Sequence, residues 1–495
     1  MEKISHPSPW PEIVFGSSDS TTSQMIRRAV KAGELRKLAP RLYTSNLKDT
    51  PENIVKRNLY HILGGFFPGA ILSHRTAIEG GPSKEGTLVL SYRYTKKFTL
   101  PGLNIKLLLG PKAQLTDTPF MDKLFLASRE RALLENLQPS RTRDKSAKTL
   151  PRAFIEEYLN KICSHYGVEE LNRIRDRARP LAKTLNMPSE FQTLEKIIGA
   201  LLGTQKTTVL QTEMGLARAK GIPYDVQRLE LFANLATTLN KEILPVRKFT
   251  STSIEVLNNL AFFEAYFSNF IEGTKFEVDE AADIIFRGHL TPYRPEDAHD
   301  ILGTFQIVSS LVEMHRVPSS AQELMSTLKA RHAILMSART TKEPGKFKRS
   351  QNRAGNTIFV HPDLVEGTII KAFDLYKMIE PGIARAMFMM FLIAEIHPFL
   401  DGNGRIARIM MNAELVYANQ WRIIIPTVFR EDYILTLRRL TRDHDVAPYI
   451  RMLIKAQTFT ASIDYGTYAE ALNELRACNA FLEPSEGKLI LKPGN

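Results

Sequence analysis

The segment from His397 to Arg408 reads HPFLDGNGRIAR and combines residue types that suit phosphate chemistry. Gly402 and Gly404 leave backbone N–H groups free to approach phosphate oxygens without a Cβ in the way. Asp401 offers the hard oxygen ligand that Mg²⁺ prefers. His397 suits a general base that takes a proton from an attacking hydroxyl, because imidazole titrates near neutral pH. The segment therefore predicts a site that binds phosphate groups with Mg²⁺ and activates a hydroxyl.

Two helical patterns flank this glycine-rich loop. The apolar run MFMMFLIAEI precedes it, and IARIMMNAELVYAN follows it. The loop therefore opens directly onto a helix N-terminus, where the helix dipole adds partial positive charge. Arg405 and Arg408 are three residues apart, so both project from the first turn of that helix and can reach successive phosphates.

HPFLDGNGRIAR resembles the signature of the Fic (filamentation induced by cyclic AMP) family, HxFx(D/E)GNGRxxR, with every specified position filled. The resemblance implies a compact all-helical core that transfers AMP from ATP to a Ser, Thr or Tyr hydroxyl. It implies that His397 is the general base and Asp401 the Mg²⁺ ligand. It further implies that the remaining motif residues bind the nucleotide, with an anion hole and two cations for the outer phosphates: Gly402, Asn403, Gly404, Arg405 and Arg408.

The segment FSNFIEGTKF matches the family's inhibitory motif, (S/T)xxxE(G/N), through Ser268, Glu272 and Gly273. Ser268 and Glu272 are one helical turn apart and share a face, and Gly273 ends the helix. The resemblance implies that Glu272 pairs with Arg408 and occupies the place of the γ-phosphate, so that ATP binds unproductively. In some relatives the same Glu helps to remove AMP, and the direction of the net reaction stays open.

The segment GKFKRSQNRAGNTIFVHP resembles the family's flap, a β-hairpin that covers the site and holds the target by strand addition. Asn and Gly chemistry in its middle favours a tight turn. We expect the flap to begin at Gly345 and to contact the target through Ile358, Phe359 and Val360. Whether Ile358 or Phe359 packs against the target side chain or against adenine stays open.

The basic charge is concentrated in the first half of the chain. The net charge is +13, and counting Lys and Arg against Asp and Glu places about +15 on residues 1–250 and about −2 on the rest. Within this half, TSQMIRRAVKAGELRKLAPRLYTSN followed by ILSHRTAIEGG resembles the winged-helix region of AbiEi-type antitoxins. A helix and a basic wing would then present six cations to DNA phosphates: Arg27, Arg28, Lys31, Arg36, Lys37 and Arg41. The alternative is a small basic domain that docks on the core or recruits a target.

The overall pattern predicts a multidomain α+β protein that is mostly helical. We expect a winged-helix-like domain at 1–85, a mixed α/β domain at 86–245, an all-helical Fic core with its hairpin flap at 246–460, and a tail at 461–495. Cys163 and Cys478 lie far apart and form no CxxC pair, which favours a reducing compartment. The N-terminus does not resemble a secretory signal, and the longest apolar stretch is too short to span a bilayer. We therefore expect a cytoplasmic protein without a membrane partner.

The leading functional prediction is Mg²⁺-dependent protein adenylylation from ATP, inhibited by Glu272. The substrate would be a protein, with the chain itself as one candidate. Three alternatives stay open: a nucleotide-sensing transcriptional regulator that binds DNA, a toxin–antitoxin-like module, and a Fic enzyme that uses another nucleotide donor or removes AMP. A homodimer is also compatible with the sequence.

Overall fold

The computed structural model describes residues 10–121, 123–140, 147–289 and 293–491. The chain divides into two compact units, Met1–Lys220 and Gly221–Asn495. Among the described residues, no helix combines the length and the apolar character needed to cross a membrane.

The first unit contains a small three-stranded sheet, a six-stranded sheet and a group of helices. Its elements are β1 (Ile13–Phe15), α1 (Ser20–Lys31), β2 (Arg36–Ala39), β3 (Leu42–Thr44), α2 (Pro51–Arg57), α3 (Leu59–Phe66), β4 (Ile71–Leu72), α4 (His74–Glu79), β5 (Thr87–Tyr92), β6 (Lys96–Leu100), β7 (Leu103–Leu109), β8 (Thr118–Phe120), β9 (Leu124–Leu126), α5 (Arg129–Asn136), α6 (Arg152–Tyr166), α7 (Val168–Thr184), α8 (Pro188–Leu201) and α9 (Glu213–Ala219).

Helix α1 and the strand pair β2–β3 lie where the residue pattern expects a helix and a wing. The Asp19 side chain caps α1 by accepting a hydrogen bond from the Thr22 N–H. One face of α1 buries Ile26 and Ala29 in a small apolar cluster with Val14 of β1. The opposite face carries the basic side chains.

The expected division after residue 85 crosses the six-stranded sheet. Strand β4 pairs with β5 through Ile71–Ser91 and Leu72–Leu90, so chain on both sides of that division belongs to one sheet. Residues of both parts also share one apolar core, in which Leu72 and Leu88 are fully buried. The division is therefore not supported, because cutting there would expose that core and unpair the strands.

In its described residues, the second unit is mostly helical and contains a β-hairpin. Its elements are α10 (Val226–Lys241), α11 (Ile254–Ile271), α12 (Val278–Arg287), α13 (Pro295–Ser309), α14 (Leu311–Met314), α15 (Ala321–Leu335), β10 (Arg353–Ala354), β11 (Thr357–Ile358), α16 (Val365–Lys377), α17 (Ile383–Ile396), α18 (Asn403–Tyr417), α19 (Arg430–Asp443), α20 (Val446–Ala461) and α21 (Tyr468–Ala477).

Both expected borders of the helical core differ from the structure. Helix α10, assigned above to the middle domain, packs here: Phe232 contacts Phe388 and Phe391 of α17 edge to face. The expected tail contains α21, whose Leu472 and Leu475 are buried in the same core. The apolar residues of these segments need a partner surface, and the core supplies it.

Helix α17 lies at the centre of this unit. It is apolar around most of its circumference, with Phe388, Met390 and Phe391 fully buried, and it packs along α18. Burial of each such side chain contributes about 1.5–3 kcal/mol relative to exposure. The loop that joins α17 to α18 is therefore held at both ends by buried helices.

Candidate active site

The loop between α17 and α18 places its glycines against neighbouring side chains. Gly402 precedes α18 with a φ of +73°, and a Cβ there would lie 2.9 Å from Met336 Sδ. A Cβ on Gly404 would collide with Glu272 Oε1. The Glu272 carboxylate therefore lies against the N-terminus of α18, where the sequence predicts that a phosphate binds. Asn403 braces the loop by donating to the Phe399 carbonyl and accepting from the Phe399 N–H.

His397 ends α17 with a φ of +54° and is held as a neutral imidazole. Its Nδ1 lies 3.1 Å from the Ala394 carbonyl oxygen, which can only accept, so Nδ1 carries the proton and Nε2 keeps its lone pair. Burial lowers the pKa of His397 to about 4. The ring of Phe359 stacks on it at 3.7 Å between centroids. The imidazole can therefore accept a proton at neutral pH.

Asp401 presents a carboxylate that is 44% exposed beside this histidine. Its Oδ1 accepts the Gly402 N–H at 2.7 Å, and its Oδ2 lies 3.8 Å from Lys342 Nζ. Across the described ranges, no cluster of three or more His, Cys, Asp or Glu side chains could hold a metal alone. A single carboxylate shared with phosphate oxygens is how Mg²⁺ is commonly held, so the donor set fits a Mg²⁺–nucleotide complex.

Arg408 is 4% exposed and is surrounded by four oxygen atoms. Its Nη2 donates to Glu272 Oε1 and to the Ser268 carbonyl, both at 2.8 Å. Its Nε donates to Ser268 Oγ at 3.0 Å, and its Nη1 donates to Tyr433 Oη at 3.3 Å. Glu272 is the C-terminal cap of α11, and Gly273 follows with a φ of +96°. The contact expected between Glu272 and Arg408 is present, whereas its inhibitory role stays a prediction.

Residues 324–415, which include His397, Asp401 and Arg408, match the Fic/DOC family. This stretch is a Fic domain. Its sequence match agrees with the resemblance on which the motif assignment rests.

Similar curated proteins are known in flies. Protein adenylyltransferase Fic of Drosophila persimilis is 26% identical over 215 residues, which cover 41% of this chain and 41% of that protein. The protein of the same name in Drosophila mojavensis is 28% identical over 205 residues, 38% of this chain and 39% of that protein. The chain thus spans about two-fifths of the length of these curated relatives.

Solved structures with partial similarity include a fragment of Fic-1 from C. elegans, at a TM-score of 0.35 and 15% identity, covering 66% of this chain and 99% of that one. A Fic domain containing signaling protein from Bacteroides thetaiotaomicron has a TM-score of 0.35 and 17% identity, covering 47% of this chain and 94% of that one. TM-scores and sequence identities this low do not support a comparison of the sites, so the geometry of the site is described from this chain alone.

Arg405 of the Fic domain differs from expectation. Its Nη1 lies 2.6 Å from Asp300 Oδ2 and 3.3 Å from Asn269 Oδ1, and its side chain is buried. Asp300 is itself 1% exposed. The geometry therefore does not support a phosphate-binding role for Arg405, because separating this pair would leave two buried charges unpaired.

The flap hairpin is present as β10 and β11, joined by a turn at Gly355, which has a φ of +56°. Ile358 is 62% exposed, and Phe359 covers His397. Val360 is fully buried in the helical core and is not presented to a target. Gly345 lies outside the two strands and donates its N–H to His332 Nδ1 at 2.9 Å. Of the residues predicted to meet a target, the structure therefore leaves Ile358 on the surface and places Phe359 in the site.

Lys348 was not among the predicted site residues, although it lies in the flap segment. It is buried, and its Nζ lies 2.6 Å from Asn352 Oδ1 and 3.5 Å from the carbonyl of Ile396, the residue before His397. Burial lowers the pKa of Lys348 to about 7. The basic residues around Lys348 predict an exposed side chain, and no local pattern indicates that this lysine is buried.

A cavity of about 360 Å³ adjoins His397 and Gly404. Its polar lining includes Glu272, Arg438 and Tyr433, and its apolar lining includes Phe359 and Leu437. A cavity of this size with an apolar wall and a few polar groups suits a nucleoside.

The basic residues of the first unit fall into two groups. Arg36 is half-buried and donates to the carbonyls of Asn46 and Asp49, and Arg41 donates to the Gly16 carbonyl. These two arginines brace backbone, so the DNA contact predicted for Arg36 is not supported by its placement. Four cations remain exposed on α1 and β2: Arg27, Arg28, Lys31 and Lys37. Arg41 is also exposed despite its contact with Gly16, so DNA binding through these five cations stays a prediction.

Proposed function

We propose that this chain is a protein adenylyltransferase that transfers AMP from ATP to a protein hydroxyl at the Fic domain. The observation that carries the proposal is the neutral His397 at the edge of an anion cradle formed by the α18 N-terminus. The fly proteins it matches bear the name protein adenylyltransferase, which supports the same activity. The whole-protein activity, target and partners are part of this proposal.

In the proposed reaction, His397 Nε2 takes the proton from the target hydroxyl as its oxygen attacks the α-phosphorus of ATP. The bond between the α-phosphorus and the bridging oxygen breaks, and pyrophosphate leaves. Backbone N–H groups at Gly402 and Gly404 stabilise charge on the phosphate oxygens. Asp401 would hold Mg²⁺, and the ion would supply positive charge beside the phosphates. Most of the acceleration then comes from positioning and charge neutralisation.

We further propose that Glu272 inhibits this reaction by occupying Arg408. Glu272 Oε1 lies 2.8 Å from Arg408 Nη2 and against the backbone of Gly404, so a carboxylate occupies the anion site. A γ-phosphate needs the same cation and the same helix N-terminus. ATP would therefore bind with its phosphates displaced until Glu272 leaves.

The test is incorporation of label from α-³²P-ATP into protein with Mg²⁺, in wild type, Glu272→Gly and Glu272→Gly/His397→Ala. We expect strong label only in Glu272→Gly, and a loss of at least about 100-fold in the double variant, because general-base catalysis contributes about 10²–10⁴-fold. γ-³²P-ATP is the matched control and should leave protein unlabelled. Equal labelling by both nucleotides, or retained transfer without His397, would contradict the proposal.

The pH dependence gives a second test. Since burial holds the pKa of His397 near 4, the base stays neutral as pH falls from 8 to about 5. We expect the rate of Glu272→Gly to stay level over that range and to fall only as pH approaches 4. A rate that halves near pH 6.5, the ordinary pKa of imidazole, would show that His397 is solvated when it acts.

A further inference from the structure

His332 is a buried histidine outside the signature motif that contacts the catalytic loop. It lies in the last turn of α15 and is fully buried. Its ring stacks on Phe399 at 3.8 Å between centroids and 3° between planes. Phe399 belongs to the loop itself, so the imidazole packs directly against the segment that carries Asp401.

Both nitrogens of His332 have a defined partner. Nε2 lies 3.1 Å from the backbone carbonyl oxygen of Asp401, and Nδ1 accepts the Gly345 N–H at 2.9 Å. A carbonyl can only accept and a backbone N–H can only donate, so Nε2 carries the proton and Nδ1 does not. Only the neutral Nε2–H tautomer satisfies both contacts.

These contacts join three parts of the Fic domain. Gly345 begins the flap segment, and a Cβ there would lie 3.1 Å from the Lys329 carbonyl oxygen and from Ala333 Cβ, so the chain approaches α15 closely. Met336, at the end of α15, lies against Gly402 in the same way. Through the imidazole of His332, helix α15 therefore contacts both the loop at Asp401 and the start of the flap.

We propose that His332 is a positioning residue that holds the Asp401 backbone, and through it the metal-binding carboxylate, in the orientation that receives Mg²⁺. The inference rests on the proposed function of Asp401. The Asp401 carboxylate is otherwise tied only by the Gly402 N–H and the distant Lys342 among the contacts described, so its direction depends on the backbone that carries it. Groups that orient a metal ligand are commonly worth about 10–100-fold in metal affinity.

Two substitutions separate the two halves of the contact. His332→Gln places an amide N–H near Nε2 and keeps the donor to the Asp401 carbonyl. His332→Asn places an amide oxygen near Nδ1, which keeps the acceptor for Gly345 but loses the donor to Asp401. Both lose the ring, so a role in packing alone would affect them alike. His315→Asn, at an exposed histidine of the same unit, is the matched control.

The measurement is the Mg²⁺ concentration that half-maximally strengthens ATP binding, in a Glu272→Gly/His397→Ala parent that does not turn over and has no carboxylate in the phosphate site. We expect His332→Asn to raise this concentration about 10-fold and His332→Gln to stay within about 2-fold of the parent. ATP affinity in EDTA should be unchanged in both. Circular dichroism melting checks that each variant folds.

The inference would be overturned if His332→Gln and His332→Asn raised the half-maximal Mg²⁺ concentration by the same factor. It would also be overturned if His332→Asn weakened ATP binding in EDTA as much as it weakens ATP binding with Mg²⁺. If His332→Asn does not fold, His332→Gln alone decides, because a 10-fold shift in that variant contradicts the role of the Nε2 donor. If the chain transfers no AMP but His332→Gln and His332→Asn still differ in their half-maximal Mg²⁺ concentration, the proposed function is contradicted and this inference is supported. A parent whose ATP binding ignores Mg²⁺ would overturn both.

Discussion

Arg405 and Arg408 lie about one turn apart near the N-terminus of α18, yet the two arginines face carboxylates of different kinds. Asp300 is 1% exposed and holds both Arg405 and Arg339, at 2.6 and 2.9 Å. Glu272 is 31% exposed, ends its helix before a glycine, and holds Arg408 at 2.8 Å. A carboxylate that is buried between two arginines cannot move into solvent without leaving both cations unpaired. A partly exposed carboxylate at a helix end can be displaced by another anion. Arg405 therefore supports the fold, whereas we propose that Arg408 becomes available to a ligand when Glu272 leaves.

The largest effect expected from this comparison concerns stability. Asp300→Ala leaves Arg405 buried without its counter-ion, and we expect it to lower the free energy of unfolding by about 3–5 kcal/mol. Glu272→Ala should cost less, about 1–3 kcal/mol, because Arg408 is also buried but keeps its contacts to Ser268 and Tyr433. Urea unfolding at pH 7 measures both values. Asp297→Ala, a more exposed acid of the same helix, is the control, and equal losses at Asp300 and Glu272 would erase the distinction.

The next effect concerns activity. Glu272→Gln keeps most of the side-chain volume but removes the negative charge, and we expect the initial labelling rate to rise about 10-fold, with Glu272→Gly higher still. Asp300→Asn makes the same chemical change at the other arginine and should not activate, because Arg405 is not the group that a phosphate needs. Activation by Asp300→Asn as large as by Glu272→Gln would assign the two arginines the same role.

The smallest effect concerns Tyr433. Its hydroxyl accepts from Arg408 Nη1 at 3.3 Å, the longest of the four contacts of that guanidinium. Tyr433→Phe removes this bond alone, which is worth about 0.5 kcal/mol at the weak end of the usual range. We therefore expect the labelling rate of wild type to change about 2-fold. A change as large as that of Glu272→Gly would show that Tyr433 of α19, rather than Glu272 at the end of α11, restrains Arg408.

Local sequence patterns predicted the parts of the site that lie close together in the chain. The loop from His397 to Asp401, the helices on either side and the hairpin near Gly355 are all encoded by apolar periodicity and turn residues within short stretches. The same reasoning located Ser268 and Glu272 on one helical face. Their contact with Arg408 followed from the family resemblance rather than from any local pattern.

Contacts between distant segments could not be read from the sequence. Nothing near Arg405 indicates that Asp300 will pair with it, and nothing near His332 indicates that Gly345 and Asp401 will meet its two nitrogens. The domain borders failed for a related reason. Whether α10 and α21 belong to the helical core depends on which apolar surface accepts their side chains, and periodicity shows only that a helix has such a face.

The order of residues along the chain sets the local pattern that predicts phosphate chemistry: a histidine, a carboxylate, two glycines and two arginines within twelve positions. It also determined the helices that carry them, since helix formation and termination depend on neighbouring residues. Which arginine is paired with a buried acid, which flap residues face the site and which histidine contacts the loop at Asp401 depend on the tertiary structure. Burial and pairing arise when distant segments pack together, and that packing sets whether a charge is free to act.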